Sequence, residues 1–382
     1  VRSGRPLRVA LVTSSYNFIA DGVALTLNRL VGYLLAHGVE VLVFAPVTRT
    51  PAFVHQGRLV PVPSIPLPGR PEYRMTFGLG GAARRELLDF APDIIHLAVP
   101  DYLGQAALRF AQAQAIPAVA SYHTRYETYL RHYWHLAPLE GRLTKLLRRF
   151  YGACREVYVP SESTREVLLA DGLRDNFKPW PRGIDTARFD PAKRSSAWRA
   201  QHGIGEDELV ILHVSRLVRE KRLDTLTAAL VRLVMPHRVV IVGEGPDRAY
   251  AQAQLPHALF TGFMGGDELA AAYASSDIFV FPSDSESFGN VTLEAMASGL
   301  PCVCADATGS RSLVVAGETG FLAPADDAEA FARHITLLAQ DGALRLRMGA
   351  AARARSLTFS WDETLARMLG YYRALLPGNL TP

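Results

Sequence analysis

Short apolar runs alternate with helix-patterned stretches along the whole chain, and this alternation limits the possible folds more than any other feature. Leu7–Thr13 is largely apolar rather than alternating, as expected for a strand covered on both faces. A loop at Ser14–Asp21 follows, then a helical pattern over Gly22–His37 that Gly38 ends, then a second apolar run at Val39–Ala45. Similar runs predict strands at Ile94–Ala98, Ala118–Tyr122 and Glu156–Pro160. Helical patterns near Gly81–Phe90, Tyr102–Ala115, Leu139–Tyr151 and Ser163–Asp171 come between them. Repeated strand–helix–strand units build a parallel sheet flanked by helices, which is an α/β domain.

The stretch Asn176–Pro191 carries three prolines and a glycine with neither period, and it reads as a linker. Beyond it the pattern restarts, with predicted strands at Leu209–Val214, Arg238–Val242, Leu259–Thr261, Ile278–Pro282 and Pro301–Ala305. Helices are expected between these strands, then near Asp327–Ala339 and Ala343–Arg355, with a last one from Trp361 to about Leu375. The expectation is two α/β domains of similar size, 1–180 and 190–358. Open sheets of this kind bind ligand beyond the carboxyl ends of their strands. Two such edges facing each other would form a cleft.

The most informative segment for chemistry is Ser283–Gly299, which reads strand, turn, helix. Glu286 precedes the helix and Glu294 lies in its first turns, with a Phe288-Gly289-Asn290 turn between them. A helix N-terminus offers free backbone N–H groups to an anion, and a carboxylate accepts well from vicinal hydroxyls. Two acids bracketing an anion site suit a ligand with a sugar at each end of a phosphate, a nucleotide sugar. Ser215–Arg222 places up to four cations after the first strand of the second half; Arg216 can grip a phosphate bidentately and Lys221 acts as a point charge.

Other motifs carry less. Gly243-Glu244-Gly245-Pro246 fits either a tight turn or a ligand loop. Thr261–Gly266, with Gly262 and Phe263, ends a strand in flexible backbone able to read a flat base through main-chain groups. Gly22 opens the first long helix and allows close approach of a ligand, but the loop is not Gly-x-Gly-x-x-Gly, which argues against a dinucleotide-binding enzyme. His123, in Ser121–Arg125, ends a strand and would face the cleft. His132 and His135 lie three apart without an acidic or cysteine partner at ligand spacing, and no Asp-x-Asp triplet or Gly-Lys pair occurs, so neither a metal site nor a Walker loop is expected.

Charge is uneven. Residues 1–190 hold 23 Lys and Arg against 16 Asp and Glu, whereas the remainder holds 18 against 21. Arg142–Arg155 mixes cations with Leu143, Leu146, Leu147 and Phe150 and reads either as a helix on an anionic membrane or as charged stems over a core helix. Aromatic–basic interleaving on a nucleic-acid motif is missing. No apolar run reaches the roughly 18 residues of a membrane span, and no secretory signal pattern is evident. Cys154, Cys302 and Cys304 cannot build a disulfide framework, and the last two share one face of a predicted strand, as small core residues. A cytoplasmic location is expected, either free or peripheral on the inner face of the plasma membrane.

Glu286…Glu294 followed by Ala-Met-Ala-Ser-Gly-Leu-Pro301 resembles the retaining glycosyltransferases of family 4. So do the Asp21-Gly22 loop, Tyr122-His123-Thr124, Arg182-Gly183-Ile184-Asp185, Ser215-Arg216 with Lys221, Gly243–Pro246 and Gly320-Phe321-Leu322, in that order. Within the family the chain is similar to bacterial enzymes that glycosylate lipids or lipid-linked sugars, of the sulfoquinovosyl- and mannosyl-transferase kind. The resemblance implies the GT-B fold: two Rossmann-like domains facing across a cleft, with a C-terminal helix (360–382) crossing back to an acceptor-binding first domain. It implies that Arg216 and Lys221 hold the donor diphosphate, Glu294 accepts from the ribose, and Glu286 binds the donor sugar's distal hydroxyls. Phe288, Gly289, Asn290 and Val291 would supply backbone contacts to the donor, Gly243, Gly262 and Phe263 would complete its site, Gly22 would lie beneath the diphosphate, and His123 would contact the transferred sugar. Members often carry Gly-Gly where this chain has Gly22-Val23.

The activity implied is transfer of a hexose, with retention, from a UDP- or GDP-linked donor to an acceptor hydroxyl, on a membrane lipid or lipid-linked saccharide, without a metal or other cofactor. The basic first domain would dock on an anionic membrane, and nucleic acid is not expected as a partner. The alternatives are a nucleotide-sugar epimerase or phosphorylase of the same fold, or a sugar-nucleotide binding module without turnover.

Overall fold

The computed structural model describes residues 5–67, 70–123 and 140–376. Thr124, Arg125, His132 and His135 lie outside them. The chain forms two compact units, Val1–Trp180 with Asp362–Pro382, and Pro181–Trp361.

In the first unit the described strands of the main sheet are β1 (Arg8–Val12), β2 (Glu40–Ala45), β3 (Arg58–Pro61), β6 (Ile94–Leu97), β7 (Ala118–Ser121), β8 (Glu156–Val159) and β9 (Phe177–Pro179), with a separate hairpin of β4 (Ser64–Leu67) and β5 (Arg70–Thr76). They lie in the order β3-β2-β1-β6-β7-β8-β9, every neighbour parallel. Helices α1 (Gly22–Ala36), α2 (Gly80–Phe90), α3 (Tyr102–Ala113), α4 (Glu140–Gly152) and α5 (Glu162–Ala170) cover it. Three of them start where the sequence supplies a capping side chain: Asp21 accepts from Ala24 N at 2.8 Å, Asp101 from Gly104 N at 3.0 Å, and Ser161 from Thr164 N at 3.1 Å. Their apolar faces close on Val12, Phe44, Leu97 and Val157, all fully buried, each such side chain stabilising by about 1.5–3 kcal/mol.

The second unit repeats the plan. Its strands are β10 (Val210–Val214), β11 (Arg238–Val242), β12 (Leu259–Gly262), β13 (Ile278–Phe281), β14 (Cys302–Ala305) and β15 (Gly320–Ala323), ordered β12-β11-β10-β13-β14-β15 and again parallel. Helices α6 (Ser196–Gln201), α7 (Leu223–Leu230), α8 (Arg248–Gln254), α9 (Gly266–Ala274), α10 (Asn290–Ala297), α11 (Thr308–Leu313), α12 (Ala328–Gln340) and α13 (Gly342–Ser356) pack around it. Cys302 and Cys304 are buried and unpaired on β14, as small core residues. The last helix, α14 (Trp361–Ala374), returns to the first unit, where Tyr371 Oη donates to Pro179 O at 3.2 Å and Tyr372 is fully buried.

Counted along the chain, both sheets run 3-2-1-4-5-6, the doubly wound Rossmann order, with a seventh strand in the first. The order reverses between β1 and β6 and between β10 and β13, and those points open a crevice beyond the strands' carboxyl ends.

One expectation is corrected. The segment read as a linker from Asn176 begins as a strand, because Phe177–Pro179 pairs in parallel with β8. Pro179 has no N–H to give, which an edge strand tolerates. Strands β3 and β15, also edges, and the β4–β5 hairpin escaped the sequence reading for related reasons.

Candidate active site

At the switch point of the second unit, the loop after β10 meets the loop after β13. His213, inside β10, ties them together: its Nδ1 lies 2.9 Å from Val280 O and its Nε2 lies 2.8 Å from Ser215 Oγ. Burial pulls this imidazole down to about 4, with Lys221 adding to the shift and the Val280 carbonyl opposing it, so it stays neutral. Ser283 and Ser285 donate from the far loop to Glu220 O at 3.3 and 3.2 Å, and Arg222 reaches Asp284 at 3.4 Å. Within this frame the Lys221 ammonium pairs with the Glu286 carboxylate. Both side chains are less than one third exposed, at 13% and 27%. Arg216 stands exposed on the same loop and forms no ion pair among the described residues.

The glycines beside this loop have a packing reason. A Cβ on Gly243, whose φ is +132°, would lie 1.8 Å from Ser215 O, and one on Gly245 would lie 2.2 Å from Leu217 O. The β11 loop therefore lies directly on the loop after β10, held by Leu217 N donating to Glu244 O at 2.8 Å. Gly262, at φ +80°, ends β12, and the Phe263 ring beyond it is 82% exposed.

Helix α10 starts at Gly289, which takes φ +95° and provides no side-chain cap. Its first N–H groups are thus left to whatever binds there. Asn290 is exposed, Val291 half-buried, and the Phe288 ring is turned into the core against Phe359, 5.9 Å between centroids, so that residue offers backbone only. Glu286 is held from behind: Gly309 N and Thr308 Oγ1 both donate to its carbonyl at 3.1 Å. Glu294, on α10, accepts from Tyr273 Oη at 3.0 Å. Desolvation pushes its carboxyl up to about 7, against the opposing pull of the Tyr273 hydroxyl and Arg188.

In the first unit, Gly22 is the exposed first residue of α1. His123, two residues past β7, is buried, its Nε2 2.7 Å from Ser121 Oγ and its ring 5.4 Å from Trp180. Among the described residues no group of three His, Cys, Asp or Glu is arranged to hold a metal, and no helix is long and apolar enough to cross a membrane.

Sequence reasoning named Lys221 and Glu286, which the fold brings into contact, and missed what positions them. His213 had a visible signal, an imidazole in an otherwise apolar strand. Tyr273, Thr308 and Gly309 had none, since their partners are set by tertiary packing.

A cation, a carboxylate and an uncapped helix start on two loops of a Rossmann sheet, with a second such sheet and a returning C-terminal helix, define the GT-B class of sugar-nucleotide enzymes. Residues 20–188 match the model of Glycosyltransferase Family 4, and residues 195–355 match that of Glycosyl transferases group 1. The chain is 35% identical to a GDP-mannose-dependent alpha-mannosyltransferase of Mycobacterium tuberculosis, covering 97% of each. It is 32% identical to the sulfoquinovosyl transferase SQD2 of Arabidopsis thaliana, over 95% of this chain and 73% of that one. Among solved structures, sucrose-phosphate synthase from Thermosynechococcus elongatus superposes with a TM-score of 0.80 at 22% identity, over 97% and 99% of the two chains, which shows the shared fold. The chain belongs to glycosyltransferase family 4 and is a hexosyltransferase that draws its sugar from a nucleoside diphosphate.

Proposed function

We propose that the protein moves mannose from GDP-mannose to a hydroxyl of a membrane lipid or lipid-linked saccharide, with the anomeric configuration retained. The observation that carries this reading is the Lys221–Glu286 pair beside the uncapped start of α10. The near full-length likeness to a GDP-mannose-dependent enzyme supports the choice of donor. Arg216 and Lys221 hold the diphosphate, the backbone of Phe288, Gly289, Asn290 and Val291 continues the anion site, and Glu286 accepts from distal sugar hydroxyls. Glu294 takes the ribose hydroxyls, with Gly243, Gly262 and Phe263 around the nucleoside. In the first unit, Gly22 and His123 stand at the carboxyl ends of strands, where such sheets take ligand, and are read as contacts to the diphosphate and the sugar. The C1–O bond to the β-phosphate breaks, the acceptor oxygen bonds C1 on the same face, and the acceptor proton passes to the departing phosphate oxygen. Lys221 and the helix start stabilise the charge that grows there.

A lipid acceptor is supported by α4. Arg142, Lys145, Arg148 and Arg149 are exposed on it and Leu146 is 45% exposed, while Leu147, Phe150 and Tyr151 anchor its other side in the core. A cationic helix of this kind suits an anionic membrane surface on the cytoplasmic side.

The test is incubation with radiolabelled GDP-mannose, UDP-glucose or UDP-galactose and a bacterial polar-lipid extract. A solvent-extractable α-mannoside formed from GDP-mannose, and lost in Glu286→Gln, is expected. Isomerised nucleotide sugar produced without acceptor would overturn the reading in favour of an epimerase.

A further inference from the structure

The first unit contains a buried chain of polar groups that runs to His123 and whose other members have been given no part in the transfer reaction. Tyr372, on the returning helix α14, places its hydroxyl 2.5 Å from His96 Nδ1 on β6. His96 Nε2 lies 3.0 Å from Ser121 Oγ on β7, and Ser121 Oγ lies 2.7 Å from His123 Nε2. Tyr372 and His96 have no exposed surface, and Ser121 has 1%. Tyr158 and Trp180 wall the chain with rings 5.6 and 5.8 Å from His96. Three segments distant in sequence, α14, β6 and β7 with the residues just after it, thus converge on one line of hydrogen bonds ending at His123.

The direction of that line follows from counting donors and acceptors. Burial pushes His96 down to about 3 and holds the Tyr372 phenol well above its ordinary range, so both are neutral. A neutral imidazole has one N–H and one acceptor nitrogen. Among the described residues His96 Nδ1 is the one acceptor in reach of the Tyr372 hydroxyl, and a buried hydroxyl proton left unpaired costs about 1–3 kcal/mol. Tyr372 therefore donates to Nδ1, which puts the His96 proton on Nε2. That N–H donates to Ser121 Oγ. Were His123 also to donate there, the Ser121 proton would have no acceptor among the described residues, so Ser121 donates to His123 Nε2.

We propose that Tyr372 is a positioning residue: through His96 and Ser121 it fixes His123 as the tautomer protonated at Nδ1 with Nε2 as acceptor. The C-terminal helix thereby sets the hydrogen-bonding polarity of a residue at the ligand edge of the first unit, and the consequence for turnover rests on the sugar contact assigned to His123 above.

The experiment is a long-range ¹H–¹⁵N correlation of the imidazoles in the full chain with all 11 histidines labelled, His96 and His123 being assigned by glutamine substitution. His96 protonated at Nε2 and His123 at Nδ1 are expected. Finding His123 protonated at Nε2, or a mixture, in the unsubstituted protein overturns the proposal. Ser121→Ala should release His123 into mixed tautomers while leaving His96 protonated at Nε2, because Tyr372 still pins it. Tyr372→Phe should release both and lower kcat about fivefold, the equivalent of one neutral hydrogen bond. Both tautomers unchanged in Tyr372→Phe would remove Tyr372 from its role. Changed tautomers with unchanged transfer would uphold the relay and instead remove His123 from the sugar site.

Discussion

Replacing Lys221 with alanine tests at once the ion pair its ammonium makes and the catalytic part proposed for it. In the free protein it pairs with Glu286, both side chains less than one third exposed. Exposed pairs contribute about 0–1 kcal/mol, and breaking fully buried ones costs about 3–5 kcal/mol. This pair lies between, so Lys221→Ala should lower stability by about 1–2 kcal/mol, read as a shift in urea midpoint at constant slope. In the reaction proposed above the same group would face a leaving diphosphate, where removing one preorganised donor costs about 10²–10³ in kcat. The two effects come apart in Glu286→Gln. That change removes the charge that competes for Lys221, so the free nucleoside diphosphate should bind as tightly as before or more tightly, while sugar transfer falls because the distal hydroxyls exchange a charged carboxylate acceptor for a weaker neutral amide oxygen. Titration calorimetry with GDP and steady-state assays with GDP-mannose read the two quantities independently. If Lys221→Ala retains kcat/KM to within about threefold, or if Glu286→Gln loses GDP binding in proportion to turnover, the division of roles is wrong.

Other outcomes follow from the same geometry. The Glu294 carboxyl, pushed up to about 7, is favoured in its protonated form by the fold, so its contribution to stability is full below the ordinary carboxylate range and is lost as pH rises through about 7; thermal melts of the wild type should fall relative to Glu294→Gln over that interval. Ribose hydroxyls prefer the ionised form, so GDP affinity should rise with pH through about 7 and calorimetry in buffers of different ionisation enthalpy should show proton release, both missing in Glu294→Gln. Gly243→Ala, with its Cβ set against Ser215 O at φ +132°, should cost about 2–5 kcal/mol, measured by urea unfolding. Reversing charge at Arg142, Lys145 and Arg149 should abolish salt-dependent sedimentation with anionic vesicles and leave GDP binding untouched.

The central strands were legible because burial on both faces forces continuous apolar runs. Edge strands escape that rule. Three of the four sheet edges, β3 (Arg-Leu-Val-Pro), β9 (Phe-Lys-Pro) and β15 (Gly-Phe-Leu-Ala), carry proline, charge or glycine that sequence reading assigns to loops. Their pairing is decided by a neighbour already in place. Gly320 illustrates it: a Cβ there would lie 2.0 Å from Cys302 O, so β15 closes on β14 only with glycine at that position, for a reason invisible until both strands exist.

The candidate site divides in the same way. Lys221, Glu286 and Glu294 could be named from the sequence because charge in the loops after two strands and in the first turns of the helix that follows is conspicuous. The groups that aim them could not, because serine, tyrosine, threonine and glycine carry no comparable mark. Yet those groups decide whether the charges form a site. Without His213 joining β10 to β13, Ser283 and Ser285 on the Glu220 carbonyl, and Gly309 and Thr308 behind Glu286, the cation and the acid would belong to two independent loops, each with several kcal/mol of conformational freedom to surrender on binding. With them, that ordering is complete before a ligand arrives. The glycines at 243 and 245 extend the principle, since their missing side chains let a third loop settle on the first. On the proposed reading the charged residues would select the ligand, and their uncharged neighbours would spare the ordering cost of binding it.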